Sequence, residues 1–290
     1  MGTAQTSVPN SEDFCGFSQH GLPTSNTACL PFLWQFGMMT KLPTLGGANG
    51  VANSINNRGV VAGYAETTAK DPNPACPVSQ FAPVVWEDGA IHQLHTFPGD
   101  PDGVAAMIND KGQVVGASGT CQTFDPNSGY LVLKHALLWE NGAVTDLGNL
   151  GGTGGPAGNH ACAINNRGQV VGHAVLADDI TFHAFLWTRA SGMRDLGTLP
   201  GDFASISLGI NDGGEMVGLS LDAKFNPRAV LWEKGQMAWE NSQMTDLNTL
   251  IPANSGLYLL IAASINSSRQ ITGLAVTSGG ALHGFLATPQ

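Results

Sequence analysis

The sequence predicts an all-β protein, a five-bladed β-propeller with about four antiparallel strands per blade. The first reason is a unit of about fifty residues that recurs along the chain, a period typical of solenoids and propellers. Each unit contains one nine-residue motif: INNRGVVAG (55–63), INDKGQVVG (108–116), INNRGQVVG (164–172), INDGGEMVG (210–218) or INSSRQITG (265–273). The second reason is alternation of apolar and polar residues over short stretches separated by turn residues, without helical periodicity. Five copies predict five blades.

One repeat shows how the strands are assigned. HACAIN is strand a, GQVVGHA is strand b, HAFLW is strand c, and the stretch through RDLG is strand d. The segment Asn-Asn-Arg-Gly between strands a and b suits the tip of a tight hairpin, because Asn, Asp and Gly tolerate positive φ. The recurring motif is therefore interpreted as a turn and not as a catalytic signature. The last copy lacks the glycine, so we expect backbone strain at Arg269.

Three kinds of residue recur at equivalent positions and are predicted to build the core. Small residues are expected on strand a, where blades converge on a crowded axis: Ala52, Ala105, Ala161, Ser207 and Ala262. Glycines are expected where strand b closely approaches a neighbour: Gly63, Gly116, Gly172, Gly218 and Gly273. Tryptophans are expected to fill the space between blades: Trp34, Trp86, Trp139, Trp187 and Trp232.

The predicted organisation is an N-terminal arm (1–30) followed by a single propeller domain (31–290). The ring is expected to close by joining N- and C-terminal strands, with Lys41–Leu45 added to the last blade, which removes a sheet edge. Two c-type strands could complete that blade. They are PFLWQ (31–35) and HGFLATP (283–289), and the sequence leaves both alternatives open.

Composition excludes several classes of partner. The formal net charge of −10, from 22 acidic and 12 basic side chains, argues against nucleic acid, because such binders rely on Lys/Arg clusters. No apolar stretch approaches the roughly 18 residues needed to span a bilayer. The N-terminus has neither the basic start nor the apolar core of a secretory signal. We expect a monomer without a membrane span.

The five cysteines predict an oxidising compartment. Cys15 and Cys29 lie close together in the N-terminal arm, and Cys76 and Cys121 lie in corresponding long loops of consecutive repeats. These positions predict the disulfides Cys15–Cys29 and Cys76–Cys121, with Cys162 a buried thiol on a strand. The alternative is five reduced thiols, because spacing alone cannot prove pairing.

The motifs HAFLW (183–187), DLGTLPG (195–201) and GINDGGEMVG (209–218) resemble those of the HAF repeat family, predicted extracellular bacterial repeat proteins. The resemblance extends from Pro31 to Pro289. It implies an exported protein, extracellular or periplasmic, and it brings no assigned activity and no catalytic residues.

Candidate ligand-binding residues lie in the long b–c and d–a loops, because binding favours long loops on a rigid scaffold. The two longest b–c loops are at 65–82 and 117–134. The candidates on this face are Asp100, Asp102, His160, His173, Asp178, Asp202, Phe203 and Tyr258. Asp100 and Asp202 can also be explained as caps of Pro-Gly-Asp turns.

Specific chemical motifs are scarce. Asp100–Gly103 matches part of a calcium loop but lacks the further oxygen ligands and the distant Glu; calcium is kept as a low-probability ligand, and no cofactor is predicted. No Cys/His cluster has zinc spacing, and neither a G-x-S-x-G elbow nor a phosphate loop is present. No catalytic residue is assigned.

Two hypotheses follow, besides a purely structural cell-surface role. The first is an exported binding module that holds a small molecule, glycan or protein on its long-loop face. The alternative is a hydrolase or lyase acting on a glycan-type substrate through carboxylates and His160 at the central mouth. The sequence does not decide whether the protein is an enzyme.

Overall fold

A computed structural model describes residues 1–9, 27–73, 79–125, 128–155, 157–233 and 243–289. In these segments the protein is all-β, as predicted, and its strands form six antiparallel sheets of three or four strands. Each sheet is a meander in which consecutive strands are hydrogen-bonded neighbours. The chain contains two compact units, Met1–Asp146 and Leu147–Gln290.

The first unit contains three sheets. The N-terminal sheet is β1 (Gly2–Pro9), β2 (Thr27–Gln35) and β3 (Met38–Lys41). The second is β4 (Gly46–Ile55), β5 (Val61–Lys70), β6 (Ser79–Glu87) and β7 (Ala90–Gln93). The third is β8 (Asp102–Ile108), β9 (Val114–Asp125), β10 (Ser128–Glu140) and β11 (Ala143–Asp146).

The second unit also contains three sheets. The first is β12 (His160–Ile164), β13 (Val170–Val175), β14 (Phe182–Thr188) and β15 (Gly192–Asp195). The next is β16 (Ala204–Ile210), β17 (Met216–Leu221), β18 (Pro227–Glu233) and β19 (Gln243–Asp246), followed by a short 3-10 helix (Leu247–Thr249). The last is β20 (Leu257–Ile265), β21 (Ile271–Thr277) and β22 (Leu282–Ala287). No helix in the described segments is long and apolar enough to cross a membrane.

The terminal sheets resolve the question of the two c-type strands. HGFLA of β22 pairs with β21, from Ile271 opposite Ala287 to Val276 opposite Leu282. The PFLWQ strand belongs instead to β2, where it pairs with β1 and β3. The HGFLATP segment is therefore the third strand of the last sheet. The predicted addition of Lys41–Leu45 to that sheet is wrong, since Lys41 pairs with Phe32 of β2 and Leu45 bridges to Thr67 of β5.

The Ile-Asn motif forms the turn between strands a and b, as predicted. In the third copy, Asn165 N–H donates to Gln169 O and Gly168 N–H donates to Asn165 O. Gly168 has φ +76, and Arg269, at the glycine position of the last copy, has φ +62. The positive φ is thus confined to the fourth residue of the turn, and Arg269 adopts the left-handed conformation that side chains disfavour.

The first asparagine of the motif has a second role that the sequence analysis missed. Asn165 Oδ1 accepts hydrogen bonds from Arg167 N–H and Gln169 N–H inside its own turn. Its Nδ2 donates to Asn211 O of the next sheet at 3.0 Å. Asn211 donates in the same way to Asn266 O at 3.1 Å, and Asn56 of the first unit donates to Asn109 O. We call these contacts the asparagine ladder; within each unit they link neighbouring sheets.

Strand a has a β-bulge at the same position in all five repeats. The register of β12 against β13 shifts between Ala161 and Ala163, so Cys162 is the extra residue. Corresponding shifts leave four other extra residues: Asn53, Ala106, Leu208 and Ala263. A bulge interrupts the regular alternation and redirects a side chain.

Four of the five recurring tryptophans are buried as predicted: Trp86, Trp139, Trp187 and Trp232. Trp86 Nε1–H donates to Pro43 O, and Trp139 Nε1–H donates to His95 O. The prediction is wrong for Trp34, which is 58% exposed. Trp34 lies on β2, the central strand of the three-stranded N-terminal sheet.

Candidate functional site

His160, Cys162 and His173 form one cluster on the first sheet of the second unit. His160 opens β12 and lies directly opposite His173 of β13 in the antiparallel register. Opposite side chains in such a pair lie close together on one face. The bulge at Cys162 brings its Sγ to 3.6 Å from His160 Nδ1. One donor atom from each of the three side chains lies within 4.8 Å of the other two.

The hydrogen bonds of His173 fix its tautomer. Its Nε2 lies 3.2 Å from Ala157 O, and because a carbonyl oxygen only accepts, Nε2 carries a proton. Burial lowers the pKa of His173, so its ring is neutral and Nδ1 holds a lone pair. That Nδ1 is buried and has no hydrogen-bond partner among the described residues.

His160 is 5% exposed, and its Nε2 likewise has no partner in the described part of the chain. Burial, with a smaller contribution from His173, lowers the pKa of His160 to about 3. Burial raises the pKa of the Cys162 thiol to about 12. At neutral pH the cluster therefore contains two neutral imidazoles and a thiol. Unsatisfied buried nitrogens are costly, so two of them in one place need an explanation.

The internal repeats show that this cluster is a departure from a structural rule. At the position of the His160–His173 pair, the other four sheets carry apolar pairs. These are Val51–Tyr64, Val104–Ala117, Ile206–Leu219 and Ile261–Leu274. In the first unit Val51 and Tyr64 are part of a buried apolar cluster. The fold thus accepts an apolar pair here, and the two histidines are not required by the architecture.

The search of the sequence for zinc spacing did not bring these three residues together. The residues have no zinc-finger spacing, because His160 and His173 are brought together by strand pairing and Cys162 by a bulge. His160 and His173 were predicted separately as loop candidates. Aligning the five repeats position by position would have exposed the signal, since only this copy has histidines at the paired positions.

The two carboxylate candidates of the first unit have structural partners. Asp100 Oδ2 accepts from Ser118 Oγ at 2.6 Å and lies 2.7 Å from His135 Nδ1. Asp102 is fully buried, and its Oδ1 accepts from Phe81 N–H of the preceding sheet. Asp102 therefore connects two sheets, in the same manner as Asn49, whose Oδ1 accepts from Cys29 N–H.

Asp102 is also a titratable group in the core. Burial and then the neighbouring Asp71 carboxyl raise the pKa of Asp102 from 3.8 to about 8. The folded protein consequently keeps a proton on Asp102 between about pH 4 and pH 8, whereas the unfolded chain has lost it. Because the folded state binds more protons in this window, the free energy of unfolding decreases as pH rises.

We expect the Asp102→Asn variant to lose this pH dependence. An amide can accept from Phe81 N–H and donate to Asp71 as a protonated carboxyl does. Urea unfolding at pH 5 and pH 8 should show that the wild-type protein is less stable at pH 8, with a slope of up to about 1 kcal/mol per pH unit. The Asp102→Asn variant should show a clearly smaller difference in unfolding free energy between pH 5 and pH 8. An equal difference in both proteins would show that Asp102 does not hold the proton.

The remaining candidates of the second unit are dispersed. Asp178 Oδ1 accepts from Ile180 N–H and Thr181 N–H, and so stabilises its own turn. Asp202 forms an ion pair with Arg228. Phe203 contacts the Phe225 ring edge-on, with 5.6 Å between ring centroids. Tyr258 is 41% exposed on β20. None of these four belongs to the His160–Cys162–His173 cluster.

The cysteines divide into two groups. Cys29 and Cys121 are buried, whereas Cys162 is a free thiol that is half-buried and not fully buried as predicted. The predicted partners, Cys15 and Cys76, lie outside the described residues. The pairings Cys15–Cys29 and Cys76–Cys121 therefore stay predictions.

Comparison of the whole chain with protein-family models and with curated proteins gives no match.

Proposed function

We propose that the chain is a binding module and that its ligand is held at the His160–Cys162–His173 cluster. The observation that carries the proposal is the replacement of an apolar pair by two histidines in one sheet of five. Four repeats have an apolar pair at this position, and the third repeat instead has ring nitrogens without a partner among the described residues. A ligand that accepts these groups would offset the cost of burying them.

A hydrolytic role for the same cluster has less support. A cysteine nucleophile reacts as the thiolate, and the pKa of Cys162, raised to about 12 by burial, keeps it a thiol. His160, with its pKa lowered to about 3, does not form a stable imidazolium beside it. The carboxylate candidates of the second unit, Asp178 and Asp202, are engaged in a turn and in an ion pair.

The fold and the location belong to the same proposal. We propose that the five repeats are the blades of a five-bladed propeller, because four of the sheets have the predicted order of four antiparallel strands with their a–b turns intact. We also propose that the protein is exported. The proposed disulfides Cys15–Cys29 and Cys76–Cys121 would form in an oxidising compartment.

A thermal-shift panel tests the binding function. It compares the wild-type protein with the His160→Ile/His173→Leu double variant, which recreates the Ile206–Leu219 pair of the neighbouring sheet. We expect at least one metal salt, mono- or oligosaccharide or nucleotide to raise the melting temperature of the wild-type protein and not that of the variant. The proposed site would be overturned if every compound that binds raised the melting temperatures of both proteins equally. It would also be overturned if no compound raised the melting temperature of the wild-type protein.

A further inference from the structure

We propose that His160, Cys162 and His173 bind one thiophilic transition-metal ion, and that this ion is copper(I) in preference to zinc. The inference rests on the proposed function, because it names the ligand of the same site. Two imidazoles and one thiolate are the donors that copper and zinc accept in proteins. Calcium and magnesium require oxygen ligands instead.

The distances suit a single ion. Metal–nitrogen bonds of about 2.0 Å and metal–sulfur bonds of about 2.3 Å, at tetrahedral to trigonal angles, place a nitrogen and a sulfur donor of one ion about 3.5 to 3.7 Å apart. The Cys162 Sγ–His160 Nδ1 distance is 3.6 Å. The remaining donor separations stay within 4.8 Å, so small side-chain rotations complete the set. Binding would release the Cys162 proton and form a metal–sulfur bond.

The surroundings of His173 match those of a metal-binding histidine. Such residues commonly donate their second ring N–H to a backbone carbonyl, which orients the ring and leaves the other nitrogen for the metal. His173 has this arrangement, with Nε2–H directed to Ala157 O and Nδ1 left without a partner. His160 contributes its Nδ1, 3.6 Å from Cys162 Sγ, from a ring that is 5% exposed.

The number of ligands favours copper. The metal-ligand cluster in the described residues comprises three side chains and no fourth His, Cys, Asp or Glu. Trigonal His₂Cys sets are typical of copper, whereas structural zinc sites are almost always four-coordinate. The apolar neighbour Phe182, whose ring lies 5.7 Å from that of His173, further reduces access of water as a fourth ligand.

The test is an anaerobic titration of the full chain with Cu⁺ in competition with a chromophoric chelator, with parallel titrations of Zn²⁺ and Ca²⁺. We expect one equivalent of Cu⁺, weaker Zn²⁺ binding and no Ca²⁺ binding. The Cys162→Ser variant and the His160→Ile/His173→Leu variant should lose affinity for Cu⁺ by more than about 100-fold, since changes to outer-shell groups alone cost 10- to 100-fold.

His183→Gln provides the matched control. His183 lies on β14 of the same sheet, is solvent-accessible and contacts Asp195 at 2.9 Å. This variant should bind Cu⁺ as the wild-type protein does. Circular dichroism and thermal unfolding check that each variant is folded. The double variant is expected to fold because it copies the Ile206–Leu219 pair of the neighbouring sheet.

Each outcome distinguishes the two proposals. Zinc binding tighter than Cu⁺ would overturn the copper assignment, and the absence of stoichiometric Cu⁺ or Zn²⁺ binding would overturn the metal site. An organic compound whose thermal shift depends on the two histidines, with no metal bound, would leave the binding function standing. Metal binding that survives in all variants would place the ion elsewhere and contradict the site.

Discussion

The Gly218→Ala variant is expected to lose at least about 4 kcal/mol of unfolding free energy, or to fail to fold. Gly218 lies on β17 opposite Ser207, next to the bulge of β16. A Cβ at this position would lie 1.9 Å from Ile206 O and 2.9 Å from Ser207 Cα. Because both contacts are with backbone atoms, rotation of a side chain cannot relieve them. The bulge would have to be lost, together with the register of the sheet.

Gly279→Ala is the matched control for this experiment. A Cβ on Gly279 would have Thr277 Oγ1 as its nearest neighbour at 3.8 Å, which is an ordinary contact, and its φ is not positive. Denaturant unfolding should give this variant nearly the wild-type free energy of unfolding. A Gly218→Ala protein as stable as the control would show that the bulge of β16 does not bring the two backbones together as described.

The second large effect is expected at the asparagine ladder. Asn165→Asp preserves the shape of the side chain and the acceptor for Arg167 N–H and Gln169 N–H. It removes the donor to Asn211 O and places a carboxylate oxygen against that carbonyl at a site that is 4% exposed. We expect the variant to lose about 2 to 4 kcal/mol, because a buried group is left without its partner beside a new charge.

Asn254→Asp serves as the control, because Asn254 is exposed in a turn and the substitution adds the same charge. Urea unfolding at pH 7 should show little change for this variant. At a pH low enough to protonate aspartate, the Asn165→Asp variant should recover part of its stability, since a protonated carboxyl can donate to Asn211 O. Equal stabilities of the two variants at pH 7 would contradict a link between sheets through Asn165.

The local structure of the repeat could be predicted because its signals are short-range. Alternation of apolar and polar residues identified the strands, and the glycine of the Ile-Asn motif identified the a–b turn, in which Gly168 has φ +76. The same logic predicted the positive φ of Arg269. Tryptophan burial failed at Trp34, because the burial of a side chain depends on what packs over its sheet and not on its own strand.

Two features of the repeat depend on three-dimensional register and were missed. The bulge on strand a explains why strand b needs glycine, since the added residue brings a carbonyl oxygen within 2.0 Å of where a Cβ would lie on Gly63 or Gly116. The sequence analysis predicted a close approach there without identifying the carbonyl. The ladder contacts join residues about fifty positions apart, such as Asn56 and Asn109, and no local pattern reports them.

The candidate site was predicted only in part. His160 and His173 were selected as polar residues near loops, but their pairing across β12 and β13 depends on register, and Cys162 was interpreted only as a buried thiol. Asp100, Asp102, Asp178 and Asp202 have turn, sheet-linking or ion-pair contacts instead. The difference between repeats therefore carries more functional information than the polar loop residues do.

The proposed copper site is tested most directly by a crystal structure of the copper-loaded protein, with anomalous scattering data collected at the copper edge. We expect a single strong anomalous peak bonded to Cys162 Sγ and to one ring nitrogen each of His160 and His173. The peak should lie on the sheet formed by β12–β15, the one of the five repeat sheets in which this strand a–strand b pair is not apolar. A peak bound elsewhere, or clear density for the three side chains with no peak between them, would contradict the proposed site.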